Sequence, residues 1–224
     1  MKIRLRFSKH GLMKYIGHLD VMRAFQKMNA RAGIPVAYTE GFSPHQKLSF
    51  AHPLSVGLES DGEYADMELK EEAAPEKLLE SFNRVSPEGL AVTKVSVLPK
   101  DSKNAMASVR SASYRVSFRE GYSPKGFSTV NALNSFKNAG SLKIMKETKK
   151  GLKEVELREG IRELRAEGDF LIMRVDTGSE NNIRPSLVMD ALCDLLSVPR
   201  PGPHSLLITR LDLYGEDDRP LIDD

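Results

Sequence analysis

The chain has 224 residues, 40% hydrophobic and 29% charged, with a net charge of +2, which suits one large or two small globular domains. Its single cysteine, Cys193, excludes an intrachain disulfide and, on its own, a thiolate-bound zinc or iron–sulfur cluster. No run nears the roughly eighteen apolar residues that cross a bilayer, and the N-terminal MKIRLRFSKHG lacks the apolar centre of a signal peptide. A cytoplasmic protein with no membrane contact and no cofactor is therefore expected.

In chain order, Ile3, Leu5 and Phe7 alternate with Lys2, Arg4 and Arg6, the period of a half-buried strand. Leu19, Met22, Phe25, Met28 and Ala32 then recur at steps of three and four, with Arg23, Lys27 and Arg31 on a second stripe. This predicts an amphipathic helix that starts at Gly17 as N-cap, carries Asp20 in its first turn and ends at Gly33 before Pro35. IPVAY and KLSFA read as short strands and EYADMELK as a longer one. PEKLLESFNRV is a helix opened by Pro75, and LAVTKVSVL is a closing strand.

The order then repeats. SYRVSF is a strand and STVNALNSFKNAG a helix capped by Ser128 and stopped by Gly140. SLKIMKET, GLKEVELR and FLIMRVDT are strands, RPSLVMDALCDLL is a helix opened by Pro185, and HSLLITRLDLY is the last strand. Twice over, this is strand, helix, strands, helix, strand, and it predicts an α+β protein of two tandem ferredoxin-like (split βαβ) units with helices on one face of antiparallel sheets. The boundaries expected are 1–99 and 113–214, with a patternless linker at 100–112, where Met106 and Val109 could instead pack as a short helix, and an acidic tail at 215–224; one continuous α+β domain is the competing arrangement. Charge alternates in the same sense, with net +7 over residues 1–50, −6 over 51–99, +9 over 100–153 and −8 over 154–224. Blocks of this size attract anions even on a nearly neutral protein.

The motifs YIGHLDVMRAF, AGIPVAYTEGFSPHQKLSFAHPLSVGLES, YADMEL, KETKKGLKEVELREGIREL and NNIRPSLVMDAL resemble a bacterial family of unknown function found fused to, or encoded beside, radical S-adenosylmethionine proteins. The resemblance implies a partner of that kind. The radical chemistry would be the partner's, since its cluster needs three thiolates and this chain has one cysteine. The chain departs from the family pattern at Gly17, Ser43 and Gln46, where Ser, Asn and Pro are favoured; the last two changes predict a less constrained loop.

That loop, EGFSPHQKLSFAHP over residues 40–53, is the richest stretch. Gly41 permits positive φ and Pro44 stiffens the turn, while Phe42 and His45 offer flat rings beside Lys47, a combination suited to stacking on a base and touching phosphate. Phe42 could equally plug a core beneath the loop. His18, Asp20 and His45 are the candidates for acid–base catalysis. Metal binding is disfavoured, because His18 and Asp20, two residues apart, point roughly 200° apart on a helix. The RNA-binding set is Arg4, Arg6, Arg23, Lys27, Arg31, Phe42, His45, Lys47, Lys149, Lys153 and Arg184, the last beside Asn181 and Asn182 before a helix start. Together these readings predict a non-catalytic accessory protein of a radical S-adenosylmethionine enzyme that binds tRNA or rRNA. The alternatives are a protein–protein adaptor for that enzyme and a His-dependent hydrolase or nuclease. No Walker loop, dinucleotide fingerprint or HExxH motif is present.

Overall fold

The computed structural model describes residues 1–148, 151–178 and 181–222. Along the first half run β1 (Lys2–Lys9), a 3-10 turn (Gly11–Tyr15), α1 (His18–Ala32), β2 (Leu48–Phe50), β3 (Glu59–Glu68), α2 (Pro75–Val85), β4 (Leu90–Leu98) and the short α3 (Ala105–Ser108). The second half holds β5 (Ser111–Phe118), α4 (Thr129–Asn138), β6 (Lys143–Thr148), β7 (Gly151–Glu156), β8 (Ile161–Glu167), β9 (Phe170–Asp176), α5 (Pro185–Leu195) and β10 (Leu206–Tyr214). The chain forms two compact units, Met1–Arg110 with Arg210 onward, and Ser111–Thr209. It is a mixed α+β protein with mostly antiparallel sheet and few helices.

In the first unit the strand order is β4–β1–β3–β10, with β2 also pairing β3; β1 runs antiparallel to both β3 and β4, and β2 antiparallel to β3. The apolar row Ile3, Leu5 and Phe7, at most 2% exposed, joins Val21, Phe25 and Met28 of α1 and Leu78 and Phe82 of α2 in one core. Phe7 and Phe50 both meet Phe25 edge-on, at 4.8 and 5.6 Å between ring centres. Each such ring, fully buried, contributes about 1.5–3 kcal/mol. The ends of α1 follow the sequence reading: Gly17 is the N-cap, and Gly33, at φ 66°, closes the helix in the left-handed region that glycine tolerates best.

Three expectations change here. IPVAY is no strand; Val36 and Tyr38 make single bridges to Leu69 and Gln46. Residues 100–110 are not a loose linker, since Ala105 of α3 and Val109 just after it are buried within the first unit. The segment after Gly215 belongs to the same unit, where Ile222 is buried and the Leu221 carbonyl accepts from Arg4.

In the second unit β5–β9–β8 are antiparallel neighbours, and β6–β7 form a separate hairpin. Tyr114, Val116, Leu171 and Met173 supply the buried strand face, and Ala132, Phe136, Val188 and Leu192 the buried helix positions. Ser128 caps α4 by accepting from the Asn131 amide at 3.1 Å, and Pro185 opens α5. β8 escaped the sequence reading because IRELRAE exposes four charged side chains and has no apolar alternation.

Candidate functional site

The loop between α1 and β2 is closed by backbone bonds. The Thr39 amide donates to the His45 carbonyl (2.9 Å) and the Lys47 amide to the Ala37 carbonyl (2.8 Å). Between them the turn 40–44 passes through Gly41 at φ 111°, a conformation that strains any side chain. Within it the His45 amide donates to Thr39 Oγ1 at 3.1 Å, and the His45 ring Nδ1 lies 3.1 Å from the same oxygen. Phe42 does not plug a core. Its relative accessibility is 112%, so the whole ring stands in solvent at the tip of the turn. Tyr38, 47% exposed, adds a second ring that the sequence reading missed, with the Lys70 ammonium 5.6 Å from its centre.

Gln46 reverses another expectation. Its Oε1 accepts from Asn29 Nδ2 of α1 at 2.7 Å, and its Nε2 donates to the Gln26 carbonyl and Tyr38 hydroxyl, each at 3.4 Å. Where a less constrained loop was expected, a side-chain amide fastens it to the helix. Lys47 makes a 2.7 Å ion pair with Glu68, and that hydrogen bond holds its ammonium pKa above the ordinary value. Beside the loop opens a cleft of about 370 Å3, lined by His45, Lys47, Ser49, Lys2 and Asn104, with Met67 as an apolar wall. Its volume lies in the range of small-ligand sites.

The remaining candidates fall into distinct environments. Arg4 is not a surface cation: Nε and Nη2 meet Asp66 at 2.7 and 3.0 Å, the carbonyls of Leu221 and Lys103 take its other bonds, and its side chain is 7% exposed. The β1–β3 register sets Arg4 directly opposite Asp66. Arg6 is half-buried and bonded to Asp212, which also accepts from the Tyr64 hydroxyl. Arg23, Lys27 and Arg31 are exposed on α1, with Arg23 paired to Asp20 at 2.9 Å. Lys153 is exposed on β7, and Lys149 lies outside the described residues. Arg184, exposed at the N-cap of α5, follows Asn181, which is bonded to Asp176 at 3.1 Å. A carboxylate thus stands where an anion clamp was considered.

The three acid–base candidates do not form a constellation. His18 packs edge-on against Phe50 at 5.2 Å, Asp20 is tied to Arg23, and His45 to Thr39, so the three sit among different partners. His18 instead shares a small cavity with His52, Lys9 and Glu63, and Glu63 is gripped by Arg210. Burial, with the Arg210 charge second, pushes the His52 imidazole down to about 4. Lys9, Glu63 and Arg210 carried no signal in the sequence, because a lysine at a strand end reads as solvated. Among the described residues no group of three His, Cys, Asp or Glu could hold a metal ion, and no helix is long and apolar enough to cross a membrane.

A sequence profile described as "Uncharacterized protein conserved in bacteria (DUF2344)" matches residues 2–185, and the chain belongs to that family. The description names neither an activity nor a partner. No curated protein matches the sequence. Among solved structures, a chain of "Crystal Structure of a Cbf5-Nop10-Gar1 Complex" is similar over 96% of this chain at 12% identity, with a TM-score of 0.46. The match spans 50% of that chain's length.

Proposed function

We propose that this member of an uncharacterized bacterial family binds single-stranded RNA, of tRNA or rRNA origin, through the 38–47 loop and its cleft, without catalysing a reaction of its own. The observation that carries the reading is Phe42, a fully exposed ring on a turn whose backbone is closed and whose side Gln46 fastens to α1. Exposing an aromatic ring on a restrained loop leaves apolar surface in water, which a stacking partner relieves. Tyr38 and His45 extend the platform, and Lys2, Lys27, Arg31 and Lys47 supply cations for phosphate. Lys47 exchanges Glu68 for a phosphate oxygen on binding.

The fold reading that accompanies this is two split βαβ units of ferredoxin-like type. It is supported by the order β4–β1–β3 with β2 paired to β3 in the first unit and by β5–β9–β8 in the second. The accessory role beside a radical S-adenosylmethionine enzyme rests on the motif resemblance alone, the cytoplasmic location on the single cysteine and the lack of a long apolar run, and any cluster would be the partner's.

The test is fluorescence anisotropy of a labelled mixed-sequence single-stranded RNA with the full chain at low salt. Wild type binds with an affinity that falls steeply as salt rises. Phe42→Ala weakens it by about 5- to 150-fold, the equivalent of about 1–3 kcal/mol for one stacked base. Lys27→Glu weakens it further and flattens the salt slope. No binding at low salt, or an unchanged affinity in Phe42→Ala, overturns the proposal. Recovery of a protein partner without RNA from native cells favours the adaptor.

A further inference from the structure

The first unit holds a second polar group that RNA binding leaves unused. On β1 the core-facing row Ile3, Leu5 and Phe7 continues not into another apolar residue but into Lys9, only 2% exposed. Its ammonium has three protons to donate, and one hydrogen bond is formed, to the Ile16 carbonyl at 3.2 Å. Beside it lies a cavity of about 20 Å3, lined by Lys9, His18, His52 and Glu63 with Phe7 and Phe50 among its walls. Glu63 is shared: Arg210 Nη1 donates to both its oxygens, at 2.9 and 3.0 Å, and the same carboxylate also acts on Lys9. The charges acting on Lys9 are that same Glu63 and Arg210 itself. Among the described residues Lys9 therefore shares its facing carboxylate with Arg210, in surroundings where an incompletely compensated charge is costly.

Such a charge is relieved in one of two ways: the amine gives up its proton, or an anion enters. The site favours the second. A cavity of this size passes the roughly 10–15 Å3 needed for one water-sized guest but holds no phosphate or nucleotide. The two imidazoles add ring N–H donors, and the phenylalanine rings exclude the water that would otherwise weaken the attraction. We propose that this cavity binds one small monovalent anion, of chloride or formate size, seated between the Lys9 ammonium and the rings of His18 and His52. The anion keeps Lys9 charged and couples the ends of β1 and α1 to the 50–54 segment.

The experiment follows denaturation of the full chain at neutral pH and constant ionic strength, as a bulky anion is replaced first by chloride and then by formate. Wild type is stabilised, its unfolding constant falling about tenfold for each tenfold rise in anion above the dissociation constant. Lys9→Met shows no such dependence. An equal response in both proteins, or none in wild type, overturns the proposal. Should Lys9→Met fail to fold, chloride NMR line width decides. Wild type broadens the resonance, formate reverses it and His52→Gln reduces it; absence of broadening overturns the assignment. RNA binding by the 38–47 loop is read separately, so the two proposals fail independently.

Discussion

Arg4 and Arg6 stand two residues apart on the same face of β1, and alternation alone makes both of them solvent-facing cations. The residue opposite decides otherwise. Register places Arg4 across from Asp66, and residues 103–105 and Leu221 close over the pair, leaving side-chain exposures of 7% and 4%. Removing one member of a buried pair strands the other's charge. Arg4→Met is therefore expected to destabilise the protein by about 3–5 kcal/mol in chemical denaturation, while the RNA binding proposed for the 38–47 loop, per folded molecule, is left unchanged. Phe42 is the converse case. Composition allowed either a plug or a presented ring, and only the path of the loop makes it exposed. Gln46 was read from a family pattern as a loosened position, yet its amide finds Asn29 and Gln26 seventeen and twenty residues away. Residue identity limits what bonds a side chain makes; the fold supplies the partners.

Elements with a strong local signal were legible. α1 announced its helical period and Gly33 stop, although its buried face takes Val21 with Phe25 and Met28 and leaves Leu19 of the expected stripe exposed; α4 announced its Ser128 cap, and α2 and α5 their opening prolines. What stayed hidden was β8, which pairs with β9 despite its charged sequence, while α3, a short helix that the sequence left as an alternative to a linker, is held by tertiary contact, its Ala105 amide fixed by the Asp66 carboxylate at 2.7 Å. The β6–β7 hairpin carries its own pH-sensitive joint. At its base Glu156 accepts from the Ser141 hydroxyl and from the Leu142 and Arg158 amides at 2.8 and 2.9 Å, bonds that pull its pKa down to about 2. A carboxylate depressed in the folded state contributes stability above its unfolded pKa, near 4.3, and loses it as pH falls toward the folded value. Glu156→Gln is therefore less stable than wild type at neutral pH, by an amount that solvent screening keeps small. In urea denaturation the gap should narrow between about pH 4.3 and 2; a gap constant with pH would refute the linkage.

At the scale of the molecule, the first unit is discontinuous in sequence: residues 1–110 are completed by the chain from Arg210 onward. β10 supplies Arg210 to Glu63 and Asp212 to Arg6 and Tyr64. It also runs so close to β3 that a Cβ on Gly62 would lie 2.6 Å from the Leu211 carbonyl oxygen, which is why glycine stands there. A fragment of residues 1–110 leaves Glu63 and Arg6 without these partners. It is expected to show no cooperative thermal transition, and addition of a peptide from residue 210 onward should restore one. A well-dispersed NMR spectrum from the fragment alone would contradict this. By itself the sequence determined the α+β class, the helices and their caps, most strands and the chemistry available to the 40–47 loop, because periodicity and capping act over a few neighbouring residues. Only the tertiary structure decided that Arg4 is internal, that Phe42 is presented, that Gln46 is an anchor and that Lys9 is buried beside two histidines. Each of those depends on a partner brought from far along the chain, and no local pattern encodes which partner arrives.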